Sequence, residues 1–206
     1  MSHNHAGNGG PRQATPGEVL VVFGLGNPGA EYAGTRHNAG FATIDELARR
    51  HGATYWKSEE GADVASTTIS GHEVLLAKPQ TYMNCSGGPV AKLASAHGIA
   101  ARNILVVHDD LDIPAGDVRV KFGGGHGGHN GLRSIIDKLT SRDFSRVRCG
   151  IGRPPGRMDP ADYVLRTLKG SFADDFAAMV TTAADVVESC VNDGVIPTRD
   201  KFNTHA

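Results

Sequence analysis

The chain has 206 residues, a formal net charge of −1, 39% hydrophobic residues and 21% charged residues. These values exclude a chain disordered throughout, and no run approaches the roughly 20 apolar residues that a membrane helix needs. Cys85, Cys149 and Cys190 are odd in number, far apart and form no CxxC pair. Neither a disulfide framework nor a structural zinc site is expected, and a reducing cytoplasm fits.

Residues 1–17 are rich in Gly, Asn, His and Pro without periodicity and read as a disordered tail. Met1 to His5 shows no basic start or apolar core, so no secretory signal is read there. One domain is expected over 18–206. Val19 to Phe23 is a continuous apolar run, hence a buried strand. A long loop follows from Gly24 to His37. Phe41, Ile44, Leu47 and Ala48 then recur at helical spacing, with Asn38 as a possible cap and Gly52 as the stop. Short strands are expected near 54–57, 62–69 and 73–78, with Gly71-His72 as a hairpin turn. A helix fits 86–97, and Ile104 to Val107 is a second buried strand ending in His108-Asp109-Asp110. Val118, Val120 and Phe122 alternate with Arg119 and Lys121, giving a strand with one basic face. A Gly/His loop leads to a helix over 130–140. A strand at 147–151 and helices over 161–168 and 172–192 complete the chain. Alternating strands and helices predict one α/β domain with a twisted, mixed, mostly parallel sheet and helices on both faces.

The small net charge hides an asymmetry. Between Arg119 and Arg157 lie nine Lys/Arg and only two acids, Asp137 and Asp143, a net +7. Scattered surface cations are the ordinary reading, but a one-signed block within a folded domain more often faces phosphate.

Gly24-Leu25-Gly26-Asn27-Pro28-Gly29 fits GxGxxG after a strand, the pattern of a dinucleotide turn. Its context fails: Pro28 removes an N–H donor, and helical periodicity begins only near Asn38. Other loops hold unusual polar residues: Thr35-Arg36-His37-Asn38, Tyr82-Met83-Asn84, and the run from Gly123 to Gly131. An imidazole, a carboxylate to orient it and amide side chains suffice for hydrolysis without a covalent nucleophile. Each has a duller reading, since a His at a helix start or Asn38 and Asn130 could be caps. His126-x-x-His129 lacks a third ligand at metal-site spacing, so no metal is expected. A non-catalytic RNA-binding module and a nucleotide-dependent oxidoreductase are the rival function classes.

Five blocks, taken in order, resemble the bacterial peptidyl-tRNA hydrolase family. They are Gly24 to Tyr32 (GLGNPGAEY), Thr35 to Gly40 (TRHNAG), Lys78 to Gly87 (KPQTYMNCSG), His108 to Asp112 (HDDLD) and Gly123 to Gly131 (GGGHGGHNG). The resemblance runs from about Val19 to Asn203. It departs from the family pattern at Asp110, where Glu is common, and at Cys85, where an apolar residue is usual. It implies a monomeric, cofactor-free α/β enzyme that cleaves the ester between a peptide and the terminal ribose of tRNA, recycling tRNA from aborted translation. By motif matching, His37 would be the base, Asp109 its orienting carboxylate, and Asn27 the reader of the acylated amino end. Asn84 and Asn130 would bind substrate near the ester, with Asn84 a candidate oxyanion donor. Tyr32 and Tyr82 would line the cleft, and His129 would brace the glycine loop. Lys121 and Arg148 would clamp the tRNA 5′-phosphate beside the acceptor stem.

Overall fold

The computed structural model describes residues 13–204. Seven strands form one sheet: β1 (Val21–Gly24), β2 (Lys57–Glu59), β3 (Ala62–Ile69), β4 (His72–Pro79), β5 (Ile104–Asp110), β6 (Val118–Phe122) and β7 (Ser145–Gly150). Their order is β2-β3-β4-β1-β5-β7-β6. The central pairs β4–β1, β1–β5 and β5–β7 are parallel, and the outer pairs β2–β3, β3–β4 and β6–β7 are antiparallel. The sheet is mixed as expected but not mostly parallel: three pairs are parallel and three antiparallel, because β2–β3–β4 run as a meander and β6 folds back on β7. Parallel pairing is confined to the middle of the sheet, where both faces are covered.

The helices are α1 (Ala39–Arg50), α2 (Gly87–Ala96), α3 (Asn130–Leu139), α4 (Pro160–Leu165), α5 (Ser171–Asp193) and α6 (Val195–Phe202). Alternation along the strands divides the core in two. Val22, Leu76, Leu105 and Val107 face α1 and α5, while Val21, Phe23, Val106 and Ala77 face α2 and α3. Ile44 and Leu47 of α1 are fully buried, each contributing about 1.5–3 kcal/mol.

Strand order reverses at β1. The connection to β4 passes through α1 on one face, and that from β4 to β5 passes through α2 on the other. A crevice therefore opens beyond the carboxyl ends of β1 and β5, the usual address of a site in such a sheet.

Two tight turns differ slightly from expectation. The β3–β4 hairpin turns at Ser70-Gly71, both at positive φ, one residue before the expected place. Glu60-Gly61 turns the same way between β2 and β3, which moves the first short strand from 54–57 to 57–59.

Residues 13–17 are part of the packed domain, although they were expected in the tail. Ala14 is 2% exposed within the core, its carbonyl accepts from Val195 N at 3.0 Å, and Gly17 N donates to Val191 O at 2.9 Å. The rest of the expected tail, 1–12, lies outside the described residues. Helix α6 was not expected. Gly194 (φ +89°) separates it from α5. Just beyond it, the Asn203 side chain accepts from Val120 N and donates to Val120 O, both at 2.8 Å. An amide thus occupies backbone groups that the edge strand β6 would otherwise leave open. The expected helix 161–168 stops at Leu165. Thr167 instead bridges Thr35, and Leu168 N donates to Gly34 O at 2.8 Å.

Helix α1 lies directly on the sheet because two glycines meet there. A Cβ on Gly40 would fall 2.2 Å from Leu25 N and 2.4 Å from Val107 O, and one on Gly24 would fall 2.2 Å from Gly40 O. Backbone cannot swing aside as a side chain can. Gly40→Ala is therefore expected to destabilise by at least the about 1–3 kcal/mol typical of overpacking. Gly88→Ala, in α2 with open space around it, is expected to stabilise by up to about 1 kcal/mol. Urea unfolding of the two variants checks this; equal midpoints would contradict the close approach.

Candidate active site

Asp109 is the penultimate residue of β5 and is only 2% exposed. Its Oδ2 accepts from His37 Nδ1 at 2.9 Å, and its Oδ1 accepts from His129 Nε2 at 2.9 Å. An ionised carboxylate can only accept, so each imidazole presents its N–H to it. This network assigns the tautomers. His37 carries its proton on Nδ1 and leaves Nε2 bare. His129 carries its proton on Nε2, and its Nδ1 accepts from Gly131 N (3.2 Å) and Leu132 N (3.3 Å). His129 is thus the N-cap of α3, a position usually held by a short polar side chain.

The local chain explains these placements. His37 sits in a 3-10 turn, Arg36–Asn38, leading into α1. Arg36 lies over the Tyr163 ring at 4.0 Å, and the Thr35–Thr167 bridge braces the turn from the same side. Asn38 does not cap α1 with its side chain. Its Oδ1 accepts from Asn27 N at 2.9 Å, and its Nδ2 donates to Asn27 O at 3.0 Å. Asn27 Oδ1 in turn accepts from Met83 N at 2.7 Å. The Asn27 amide is therefore fixed with Nδ2 as its remaining donor. Gly26 is used for packing, since a Cβ there would meet the Phe41 ring at 2.7 Å. Only a three-residue 3-10 turn, Ala30–Tyr32, opens after Gly29 and no α-helix does, so the dinucleotide pattern lacks its anion-binding helix end.

The electrostatics follow from the same contacts. Burial alone would lower the His37 pKa, but the charge of Asp109 and their hydrogen bond outweigh it, leaving the imidazole above its ordinary 6.5. Burial alone would raise Asp109, but the two imidazoles hold it well below the usual carboxylate range. Burial first, then the nearby His129, push His108 down to about 3. His108 stays neutral, and its Nδ1 donates to Asp109 O at 2.8 Å, fixing the backbone that carries the carboxylate.

These groups border a cleft of about 750 Å³. Asn27, His37, Tyr82, Asn84, Asp109, Lys121, His129, Asn130 and Arg148 all reach it. Tyr32 does not border it but meets Tyr82 edge-on, with ring centroids 6.4 Å apart. Asn84 and Asn130 are exposed at its rim. At the other end Arg148 Nε donates to Asp110 Oδ2 at 2.9 Å, so a carboxylate at position 110 orients this guanidinium. Arg148 and Arg119, Lys121 and Arg146 pair across β6 and β7 and share one sheet face.

His126 and His129 do not converge on a common point. His126 Nδ1 accepts from Gly128 N at 2.9 Å. Among the described residues, His37, Asp109 and His129 form the set whose ligand-type atoms lie within 4.8 Å of one another. Their spacing is that of two hydrogen bonds to one carboxylate, and a cation there would have to displace both.

The model of the family described as peptidyl-tRNA hydrolase matches residues 21–206. The chain belongs to the peptidyl-tRNA hydrolase family. A peptidyl-tRNA hydrolase of Frankia alni is 50% identical over 183 residues, covering 89% of this chain and 93% of that protein. One of Nocardia farcinica is 52% identical over 182 residues, covering 87% and 93%. The crystal structure of peptidyl-tRNA hydrolase from Acinetobacter baumannii superposes with a TM-score of 0.84 at 37% identity, covering 92% of this chain and 96% of that one. The matched span contains every residue of the cleft named above. No helix among the described residues is long and apolar enough to cross a membrane.

If Asp109 is what raises His37, its removal must reverse the sign of the shift. Asp109→Asn leaves burial acting alone, so the His37 imidazole is expected to titrate below 6.5, and above 6.5 in the parent protein. An NMR titration of the His37 ring protons reads both midpoints; an unmoved midpoint would contradict the pairing.

Proposed function

We propose that this chain hydrolyses the ester between the peptidyl carbonyl and the terminal ribose of peptidyl-tRNA, with His37 as general base. The observation that carries the reading is the His37–Asp109 contact, which directs Nδ1–H to the carboxylate and leaves Nε2 for water. His37 Nε2 takes a proton from that water as its oxygen attacks the carbonyl carbon. The C–O bond to the ribose then breaks, and the imidazolium returns the proton to the departing oxygen. Asp109 stabilises the imidazolium while it exists. Asn84, and Asn27 through its fixed Nδ2, supply N–H donors to the oxyanion or the adjoining acyl oxygen. An amide donor favours an acylated nitrogen, whose carbonyl accepts, over a free ammonium, which brings only donors. This supports Asn27 as the group that separates peptidyl-tRNA from aminoacyl-tRNA. Asn130 holds the substrate at the rim. Tyr82, with Tyr32 behind it, forms the aromatic side of the cleft.

Lys121 and Arg148 are proposed to hold the 5′-phosphate of the acceptor stem. Arg148 has only its Nε committed to Asp110, and Lys121 is exposed. Phosphate contacts add affinity without reading sequence, which suits an enzyme that accepts many tRNAs. The reading takes the protein as a cytoplasmic monomer that returns tRNA from aborted translation and needs no cofactor.

The deciding assay is release of acyl-amino acid from charged tRNA with the amino group blocked or free. His37→Ala is expected to lower kcat by about 10²–10⁴-fold while the fold persists. Near-full turnover in that variant would remove the base from His37. Lys121→Ala and Arg148→Ala are each expected to raise KM more than they lower kcat. Each should also flatten the slope of log affinity against log salt by about 1. An unchanged slope would refute the phosphate role.

A further inference from the structure

Arg146 is a buried cation with no carboxylate of the described residues in ion-pair contact, although Asp110 is near enough to act on its charge. The residue is 2% exposed. Its terminal nitrogens are committed to backbone: one donates to Gly125 O at 2.6 Å and the other to Gly124 O at 2.7 Å. Its Nε has no acceptor among the described residues. The Phe144 ring lies 4.7 Å from the guanidinium carbon. Burial, then the like charges of Arg148 and Arg142, bring its pKa down to about 10, so it stays protonated at neutral pH.

Its charge alone would group Arg146 with Lys121 and Arg148 as a phosphate contact. Arg146 borders the same cleft, but its bonding separates it from them, because both arms of the fork already hold carbonyls. The segment it holds has few other tethers. Gly123, Gly124, Gly127 and Gly128 all have positive φ, and the further bonds are Gly123 N to Phe144 O, Gly128 N to His126 Nδ1 and His129 N to His126 O. Immediately after it come His129, which must reach Asp109, and Asn130, which borders the cleft.

We propose that Arg146 is a positioning residue whose guanidinium fixes the glycine loop through the Gly124 and Gly125 carbonyls, so that His129 meets Asp109 and Asn130 faces the substrate. It acts on the reaction through the loop and touches neither the ester nor the phosphate. The catalytic half of this inference rests on the proposed hydrolysis; the loop half does not.

Arg146→Met and Arg146→Lys separate this from the alternatives. Met fills similar space without charge, but it leaves the Gly124 and Gly125 carbonyls without their donors. Lys keeps the charge but reaches with one ammonium where the fork reaches with two nitrogens. Amide hydrogen exchange over residues 123–129 of the free protein is expected to accelerate in both variants. Exchange in the β1 and β5 strands should stay as in the parent. Loop exchange unchanged in Arg146→Lys would overturn the proposal, whether or not Arg146→Met folds. In the charged-tRNA assay, kcat is expected to fall about 10- to 100-fold in Arg146→Met and less in Arg146→Lys, with KM and the salt slope close to parental. A raised KM and flattened slope at parental kcat would make Arg146 a phosphate contact and overturn it as well. Accelerated loop exchange in the variants, together with a parent protein that releases no acyl-amino acid, would sink the hydrolysis reading and leave the loop tether standing.

Discussion

One buried carboxylate organises this protein's cleft. Asp109 accepts from an imidazole on each side, and neither bond could form if the other groups around it were placed differently. A carboxylate this deeply enclosed is costly in isolation. Two N–H donors and the charge they can carry offset that cost, which is why it remains ionised. The consequence is an asymmetry between two chemically identical side chains. His37 is turned so that its bare nitrogen faces outward, and His129 so that its bare nitrogen faces the amides of α3. The first is available to a substrate; the second is spent on the helix. The proposed base and the histidine that caps α3 are distinguished here by which nitrogen the carboxylate holds.

Much of the architecture that brings them together was legible in the chain. Val21–Gly24 and Ile104–Asp110 begin as apolar, strand-length runs, the first ending in glycine and the second in His-Asp-Asp, and such runs become central parallel strands with a crevice at the carboxyl end. The glycines around Gly24 and Gly40 were visible as a pattern but not as a purpose. They resemble a phosphate-binding turn because both uses require missing Cβ atoms. Only the opposing backbone reveals that a helix, not a ligand, occupies the space. Polar residues at strand ends and in glycine-rich loops marked out the segments that hold Asn27, His37, Asn84 and Asp109, and the family resemblance narrowed each segment to those single residues.

What remained hidden depends on partners distant in sequence. Asn38 precedes a helix and looks like a cap, yet it bonds across the loop to Asn27, a pairing no local pattern announces. Residues 13–17 have the composition of a tail, but one small apolar residue, Ala14, is enough to seat them against α5 and α6. Residues 166–168 continue a helical pattern, yet backbone pairing with Gly34 and Thr35 draws them extended. The cationic block between Arg119 and Arg157 was visible as charge only. Folding divides it: Arg148 is oriented by Asp110, Arg153 is paired with Asp112, Lys121 is left in the open, and Arg146 is buried against carbonyls. Counting charge along a chain cannot separate a group that meets solvent from one that holds a loop.

The central claim concerns where two protons reside, and imidazole nitrogen NMR reads that directly. With the protein 15N-labelled at histidine and held at a pH above the His37 midpoint, His37 should show a protonated Nδ1 and a bare Nε2. His129 should show the reverse, and both N–H protons should shift when Asp109 is replaced by Asn. If both rings carried the same tautomer, or if His37 were protonated on Nε2, the carboxylate would not be setting them apart, and the base would have no lone pair to offer.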